Sequence, residues 1–341
     1  MLTQNNSFPQ EKIITDYGIL SIMYHRFEEN KYPSTNIRLE AFKEHIEIIQ
    51  DSGFEFISYE QFIDNVYKKN FKKKILITID DGFSSFYKNA WPILKRKKIP
   101  FIIFVNTESV GASGYMNWEE LKEISEFSFA HIGNHSHTHD YLVDKTDKEI
   151  KEDIKKSIKL FKDKLNHETK FFAYPFGEYK NSYKKIVSDL GFEFAFGQHS
   201  GVIDKTKNKL ELPRFPINEK YGEIKRFKNI LNTIPFPYVS ISPEEKYINN
   251  NNNPPNVIVT FEKNSMDLRN ITCYSNELNK WRKSSIKFIE KNRLKIKMYM
   301  ACMHLVNLAF LLRAYLKRVV FLLHTLVILY LHGSNCLRDV R

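Results

Sequence analysis

Two acidic residues, Asp80 and Asp81, stand together in the run Thr78-Ile79-Asp80-Asp81-Gly82-Phe83, directly behind the apolar stretch 75–79. Unpaired charge is costly to bury, so two carboxylates at a strand end belong at a functional edge rather than in a core. There one carboxylate can hold a metal ion while its neighbour, pointing elsewhere, handles protons. The pair Asp81-Gly82 would also suit the N-cap of a helix beginning near Ser85.

A second group, His135-Ser136-His137-Thr138-His139-Asp140, follows the apolar stretch 129–133. Imidazoles at i and i+4 meet on one side of a helical turn, close enough to share an ion at about 2.0–2.1 Å. Among 11 histidines such a pair arises readily by chance. Joined to a carboxylate from another strand end, it becomes a two-His, one-carboxylate set with open positions for water and substrate. His137 is expected to point away, and His131 to be a packed core histidine.

Three further segments lie at strand ends. In Phe172-Ala173-Tyr174-Pro175-Phe176-Gly177, Pro and Gly fix a tight turn whose backbone N–H groups could face an oxyanion, with Tyr174 and Phe176 beside the substrate. A plain turn with aromatic packing would leave the same residues. Tyr24-His25-Arg26 offers His25 as a proton donor, and Leu212-Pro213-Arg214 places one cation after the last strand.

The elements that must position these groups are short apolar runs at 18–24, 75–79, 101–106, 129–133, 171–174, 192–197 and 212–215. Several are too continuously apolar for a one-sided sheet, which predicts parallel strands covered on both faces. Between them, helical periodicity predicts helices at 39–52, 85–96, 118–127, 148–165 and 182–190, with Gly53 and Gly191 as stops. Strand–helix alternation with seven strands implies an α/β fold of barrel type.

After residue 240 the character changes. Residues 241–256 hold the Asn/Pro-rich YINNNNNPPN linker, and 257–295 read as a small β-rich appendage. The tail, 296–341, carries two apolar runs broken by Arg313, Lys317 and Arg318. Each is shorter than the roughly 20 residues a spanning helix needs. The tail therefore reads as a membrane-surface hairpin, a packed helical pair, or sequence foreign to the rest, as a frameshift would leave.

Hydrophobic residues at 42% and charged residues at 27% describe a globular chain. The net charge of +12 sits largely in short lysine runs beside predicted helices and strands, and no nucleic-acid motif accompanies it. The three cysteines form no CxxC pair or disulfide framework. The first residues, MLTQNNSFPQEK, lack a secretion signal, so the expected compartment is the cytoplasm, with membrane association only through the tail.

Taken together and in order, these segments resemble the polysaccharide deacetylases (the NodB-homology domain, carbohydrate esterase family 4) over roughly residues 18–215. The Thr/Ser-Phe-Asp-Asp-Gly motif is similar to Thr78–Gly82, His-Ser/Thr-x-x-His to His135–His139, and Pro-aromatic-Gly to Pro175-Phe176-Gly177. The resemblance implies a distorted (β/α)7 barrel that removes N- or O-acetyl groups from a glycan. It implies a divalent ion, Zn2+ by preference, held by Asp81, His135 and His139, with Asp80 as general base and the Phe176 backbone at the oxyanion. Two positions depart from the usual pattern. Ala173 stands where the family carries Arg before the Pro turn, and Leu323-His324, matching the usual Leu-His acid motif, lies in the tail. The chain is closer to the circularly rearranged branch containing poly-N-acetylglucosamine deacetylases, which implies His25 as the acid and Arg214 as the replacement cation. A metal hydrolase of another acyl substrate, or a sugar-binding barrel without catalysis, is the alternative.

Overall fold

Side chains along each barrel strand sort by parity, and that sorting decides which residues meet at the centre. A computed structural model describes residues 16–248, 255–262, 268, 271–277, 280–297, 308–316, 319–321 and 327–331. Six strands, Ile19–Tyr24, Lys74–Asp81, Phe101–Val105, Ala130–Asn134, Phe171–Ala173 and Phe194–Phe196, pair in that order, all parallel. Residues 212–216 close the ring as the seventh member: Leu212 bridges Phe196, while Phe215–Pro216 runs parallel to Ile22–Met23. Val202–Ile203 adds an antiparallel piece against Ile19–Leu20. The result is the expected distorted α/β barrel.

Leu20, Ile22, Ile75, Ile77, Ile79, Phe101 and Ile103 face outward into one core under the helices. Ile19, Leu76, Ile102, Phe104, Phe171, Phe194, Phe196 and Leu212 fill the lumen. The continuously apolar strands thus serve two cores at once, as parallel strands covered on both faces must. The lumen is tight: a Cβ on Gly133 would stand 2.4 Å from Phe104, so that strand position admits only glycine.

The helices are α1 (Leu39–Asp51), α2 (Tyr59–Val66), α3 (Trp91–Lys97), α4 (Trp118–Ser125), α5 (Asp147–Leu165), α6 (Asn181–Asp189) and α7 (Ile224–Leu231). The helix expected over 85–96 opens instead as a π-helical turn, Phe86–Ala90. Pro92 lacks an N–H and its ring clashes with the carbonyl four residues back, so regular α pairing is not available there. Helix α2, absent from the sequence reading, packs Phe62 and Val66 into the lumen core against Phe171, Phe194 and Phe196.

Beyond the barrel, Tyr238–Ser242, Val257–Phe261, Arg293–Lys297 and Ser285–Glu290 form an antiparallel sheet over Phe236, Val259 and Leu294. The described tail segments Leu308–Leu316, Val319–Phe321 and Val327–Leu331 are strands, the first pairing with Thr272–Glu277 and the other two with the first, and not a helical pair. Among the described residues no helix is long and apolar enough to cross a membrane. Residues 249–254 of the linker, and Leu323 and His324, lie outside the described residues.

Two buried histidines carry a stability consequence. His45 donates Nε2–H to Gly222 O (2.7 Å) and accepts from the Tyr24 hydroxyl at Nδ1 (3.0 Å), and burial lowers its pKa to about 4. His131, stacked on Tyr59, is lowered to about 3 by burial and the neighbouring His167. Both groups titrate near 6.5 once unfolded. Below that pH the unfolded chain takes up protons that the folded one refuses, so stability falls as pH drops from 6.5 toward 4. Each site is expected to cost about 2 kcal/mol between pH 7 and 5. Urea titrations at the two pH values check this; equal midpoints would contradict it.

Candidate metal and catalytic centre

Parity carries His25, Asp80, His135 and Arg214 toward the lumen, because Ile19, Leu76 and Leu212, and Gly133 against Phe104, point there on the same faces of their strands. Asp81 would follow the opposite face, but its backbone turns into the left-handed region (φ 74°), followed by Gly82 at φ 75°. That turn brings its carboxylate back over the barrel mouth. Asp81 Oδ1 lies 3.4 Å from His135 Nε2 and 3.2 Å from His139 Nε2. Asp81 is a strand residue and caps no helix, so the N-cap alternative does not hold.

His135 is wholly buried, and its Nδ1–H is donated to Ala173 O at 2.7 Å. That bond fixes the tautomer and leaves an Nε2 lone pair turned toward Asp81. The two imidazoles do not meet across a helical turn, as their spacing predicted. Residues 135–141 form an irregular loop in which Ser136 (φ 68°) and His139 (φ 57°) are both left-handed. Side-chain hydrogen bonds compete with helix here: Ser136 N–H goes to Asn134 Oδ1, and His139 N–H to Ser136 Oγ. His137 points away from the cluster as expected and is buried, its Nδ1 2.8 Å from Thr107 Oγ1.

Asp80 and Arg214 are both fully buried and form a bidentate pair, with Nη1–Oδ1 at 2.6 Å and Nη2–Oδ2 at 2.8 Å. Arg214 also donates to Gly197 O and to Thr78 Oγ1. Burial pushes the Asp80 pKa up, but Arg214 and His135 outweigh it and hold the carboxyl below its ordinary range. Asp81 is held well below that range by His139 and His135 against the same burial penalty. Burial lowers the pKa of His25, with Asp81 and Asp80 opposing, so the ring sits within the field of the same pair.

Phe176 occupies the left-handed region (φ 59°), unusual for an aromatic residue, inside the short turn Pro175–Gly177. Its ring packs edge-on to His139 at 4.7 Å and stacks on Tyr141 at 3.8 Å. Gly177 is required beside it, since a Cβ would meet the Gln198 backbone at 2.5 Å. Tyr174 behaves differently. It shares its parity with Phe172, lies among Phe172, Tyr179 and Tyr183, and donates its hydroxyl to Leu210 O. Its side chain therefore supports the outside of the barrel and does not line the mouth.

The sequence reading also missed Asp153 on α5, whose carboxylate accepts from the His137 and Thr138 backbones. Its i−3 neighbour Ile150 and adjacent Ile154 mark the buried helix face, so only three-dimensional packing identifies the carboxylate as part of the site.

Among the described residues Asp81, His135 and His139 form the one cluster of three such side chains whose ligand atoms lie within 4.8 Å of each other. Asp81 Oδ1 and His135 Nε2 are buried without a hydrogen-bond partner. Buried polar atoms left so are costly. A tetrahedral ion bonded at about 2.0–2.2 Å holds its ligands roughly 3.3–3.6 Å apart, close to the spacings seen. The residues fit a divalent ion.

Residues 67–195 match the family model described as polysaccharide deacetylase. The chain is 26% identical over 204 residues to the poly-beta-1,6-N-acetyl-D-glucosamine N-deacetylase of Staphylococcus aureus, covering 54% of this chain and 70% of that protein. Its fold is similar to IcaB from Ammonifex degensii (TM-score 0.58, 24% identity, 64% of this chain and 98% of that one). It is also similar to the Streptococcus pyogenes deacetylase PplD in complex with acetate (TM-score 0.57, 23% identity, 65% of this chain and 100% of that one).

Proposed function

We propose, from the premise that this chain belongs to the polysaccharide deacetylase family, that it hydrolyses acetyl groups from an N-acetylglucosamine polymer at the Asp81, His135, His139 cluster. The observation that carries the reading is the convergence of Asp81 Oδ1 and His135 Nε2, buried and unpaired, beside the ionised Asp80–Arg214 pair. The family name and the S. aureus relative supply the substrate class.

Asp81, His135 and His139 would hold a divalent ion, most plainly of zinc type given two nitrogen donors and one oxygen donor. Such an ion supplies Lewis acidity, acidifying water and polarising the acetyl carbonyl. The remaining steps fall to this chain's own side chains. Each Asp80 oxygen keeps a second lone pair beyond the one facing Arg214, so the carboxylate can accept the proton of an attacking water. Arg214 keeps Asp80 ionised and aimed into the lumen. His25 would give a proton to the departing sugar amine as the C–N bond breaks, its protonated form opposed by burial but favoured by Asp81 and Asp80, yielding acetate and free amine. The Phe176 backbone turn borders the side where the carbonyl oxygen gains charge.

Acetate release from N-acetylglucosamine oligomers and from acetylated xylan tests the proposal. Release from the oligomers is expected, abolished by dialysis against a chelator and restored by zinc. Release from neither substrate at any metal supplied would overturn it.

A further inference from the structure

The loop between the two histidines is held only in part by its own local hydrogen bonds, from Ser136 N–H to Asn134 Oδ1 and from His139 N–H to Ser136 Oγ. Ser136 and His139 both lie in the left-handed region, which residues bearing a Cβ adopt only when their surroundings impose it. Without restraint, the loop is expected to relax and carry His139 Nε2 away from Asp81 Oδ1, now 3.2 Å distant.

A further restraint comes from outside the barrel. Asp153 Oδ1 accepts from His137 N–H at 2.7 Å, and Oδ2 accepts from Thr138 N–H at 3.1 Å and Thr138 Oγ1 at 2.7 Å. Both oxygens of one carboxylate are thus spent on two successive residues lying between the histidines. On the loop's other side, Thr107 and Glu108 donate their backbone N–H groups to Ser136 O and His137 O. The anchor itself is firm. Helix α5 buries Ile150, Ile154 and Phe161, so Asp153 is positioned by a whole helix docked on the barrel.

We propose that Asp153 is a positioning residue for the ion: it fixes the left-handed loop that delivers His139, and so sets metal affinity without touching the metal. The inference rests on the metal site proposed above. Neighbouring groups that orient ligands typically govern affinity by about 10–100-fold. Asp153→Ala removes all three acceptor contacts. Asp153→Asn keeps one oxygen but turns an amide N–H toward the loop's own donors, so it is expected to fall between alanine and wild type.

The experiment measures zinc affinity of the full chain by competition with a chromogenic chelator, beside the thermal unfolding of metal-stripped protein. The control is Thr146→Ala, which removes the N-cap of the same helix and leaves the loop's contacts intact. Asp153→Ala is expected to bind zinc about 10–100-fold more weakly, with Thr146→Ala close to wild type despite a lowered unfolding temperature. Excess zinc should restore most of the turnover of Asp153→Ala. Wild-type affinity in Asp153→Ala, or an equal loss in Thr146→Ala, would overturn the inference. Failure of the wild-type chain to bind zinc at all would instead sink the metal site itself.

Discussion

Asp80→Asn is expected to cut acetate release by about 10²–10⁴-fold while the protein keeps its divalent ion. The carboxylate is the proton acceptor in the reaction proposed here, and an amide in the same place cannot accept. Ion binding should survive because Asp80 is not among the three converging donors; its Oδ2 lies 4.0 Å from His135 Nε2. Structural damage must be told apart from lost chemistry, since removing one partner of a buried ion pair costs about 3–5 kcal/mol by stranding the other charge. Here the stranded charge is the Arg214 guanidinium, fully buried. The double variant Asp80→Asn/Arg214→Met removes both charges and should recover much of the unfolding temperature without recovering turnover. Metal content after dialysis, together with acetate release, gives the answer. Turnover in Asp80→Asn within tenfold of wild type would eliminate the base assignment.

His135→Ala is expected to lose both ion and activity. It deletes the one donor that is wholly buried and whose orientation is locked by a hydrogen bond to Ala173 O. Asp81 and His139 alone leave two donors, too few for a zinc site of the usual kind. Thermal unfolding with and without zinc makes the measurement independent of turnover. At zinc near 100 times its dissociation constant, the wild-type protein gains about 2.7 kcal/mol. In a domain of this size that raises the unfolding temperature by about 5–10 °C. His135→Ala should show almost none of that rise. A shift as large as wild type's would mean that the ion is held elsewhere.

Much of this centre was legible before folding, because its groups lie at the ends of apolar runs. Asp80-Asp81 after 75–79, the histidines after 129–133 and Arg214 within the last run each stand where a parallel strand delivers side chains to the barrel mouth. Charged and imidazole groups at such points have a chemical reason to be there. Helix α2 was not legible: with 8 residues it is too short for its periodicity to stand out, and its plugging of the lumen by Phe62 is a long-range contact. Tyr174 looked like a mouth residue because it lies between Ala173 and Pro175, yet strand parity turns its side chain outward.

The sequence alone determined the residue types and their order: an acid pair, two imidazoles four positions apart, a Pro-Phe-Gly turn and a closing arginine, each behind a strand. Local chemistry suffices for that, since strand patterning and the cost of burying charge act over a few residues. Only tertiary structure decided that Asp81 turns back through a left-handed backbone, that Arg214 spends its charge on Asp80, and that Asp153 holds the histidine loop. Those contacts join residues 16 and 134 positions apart in the chain, and their energies arise only after the barrel has closed.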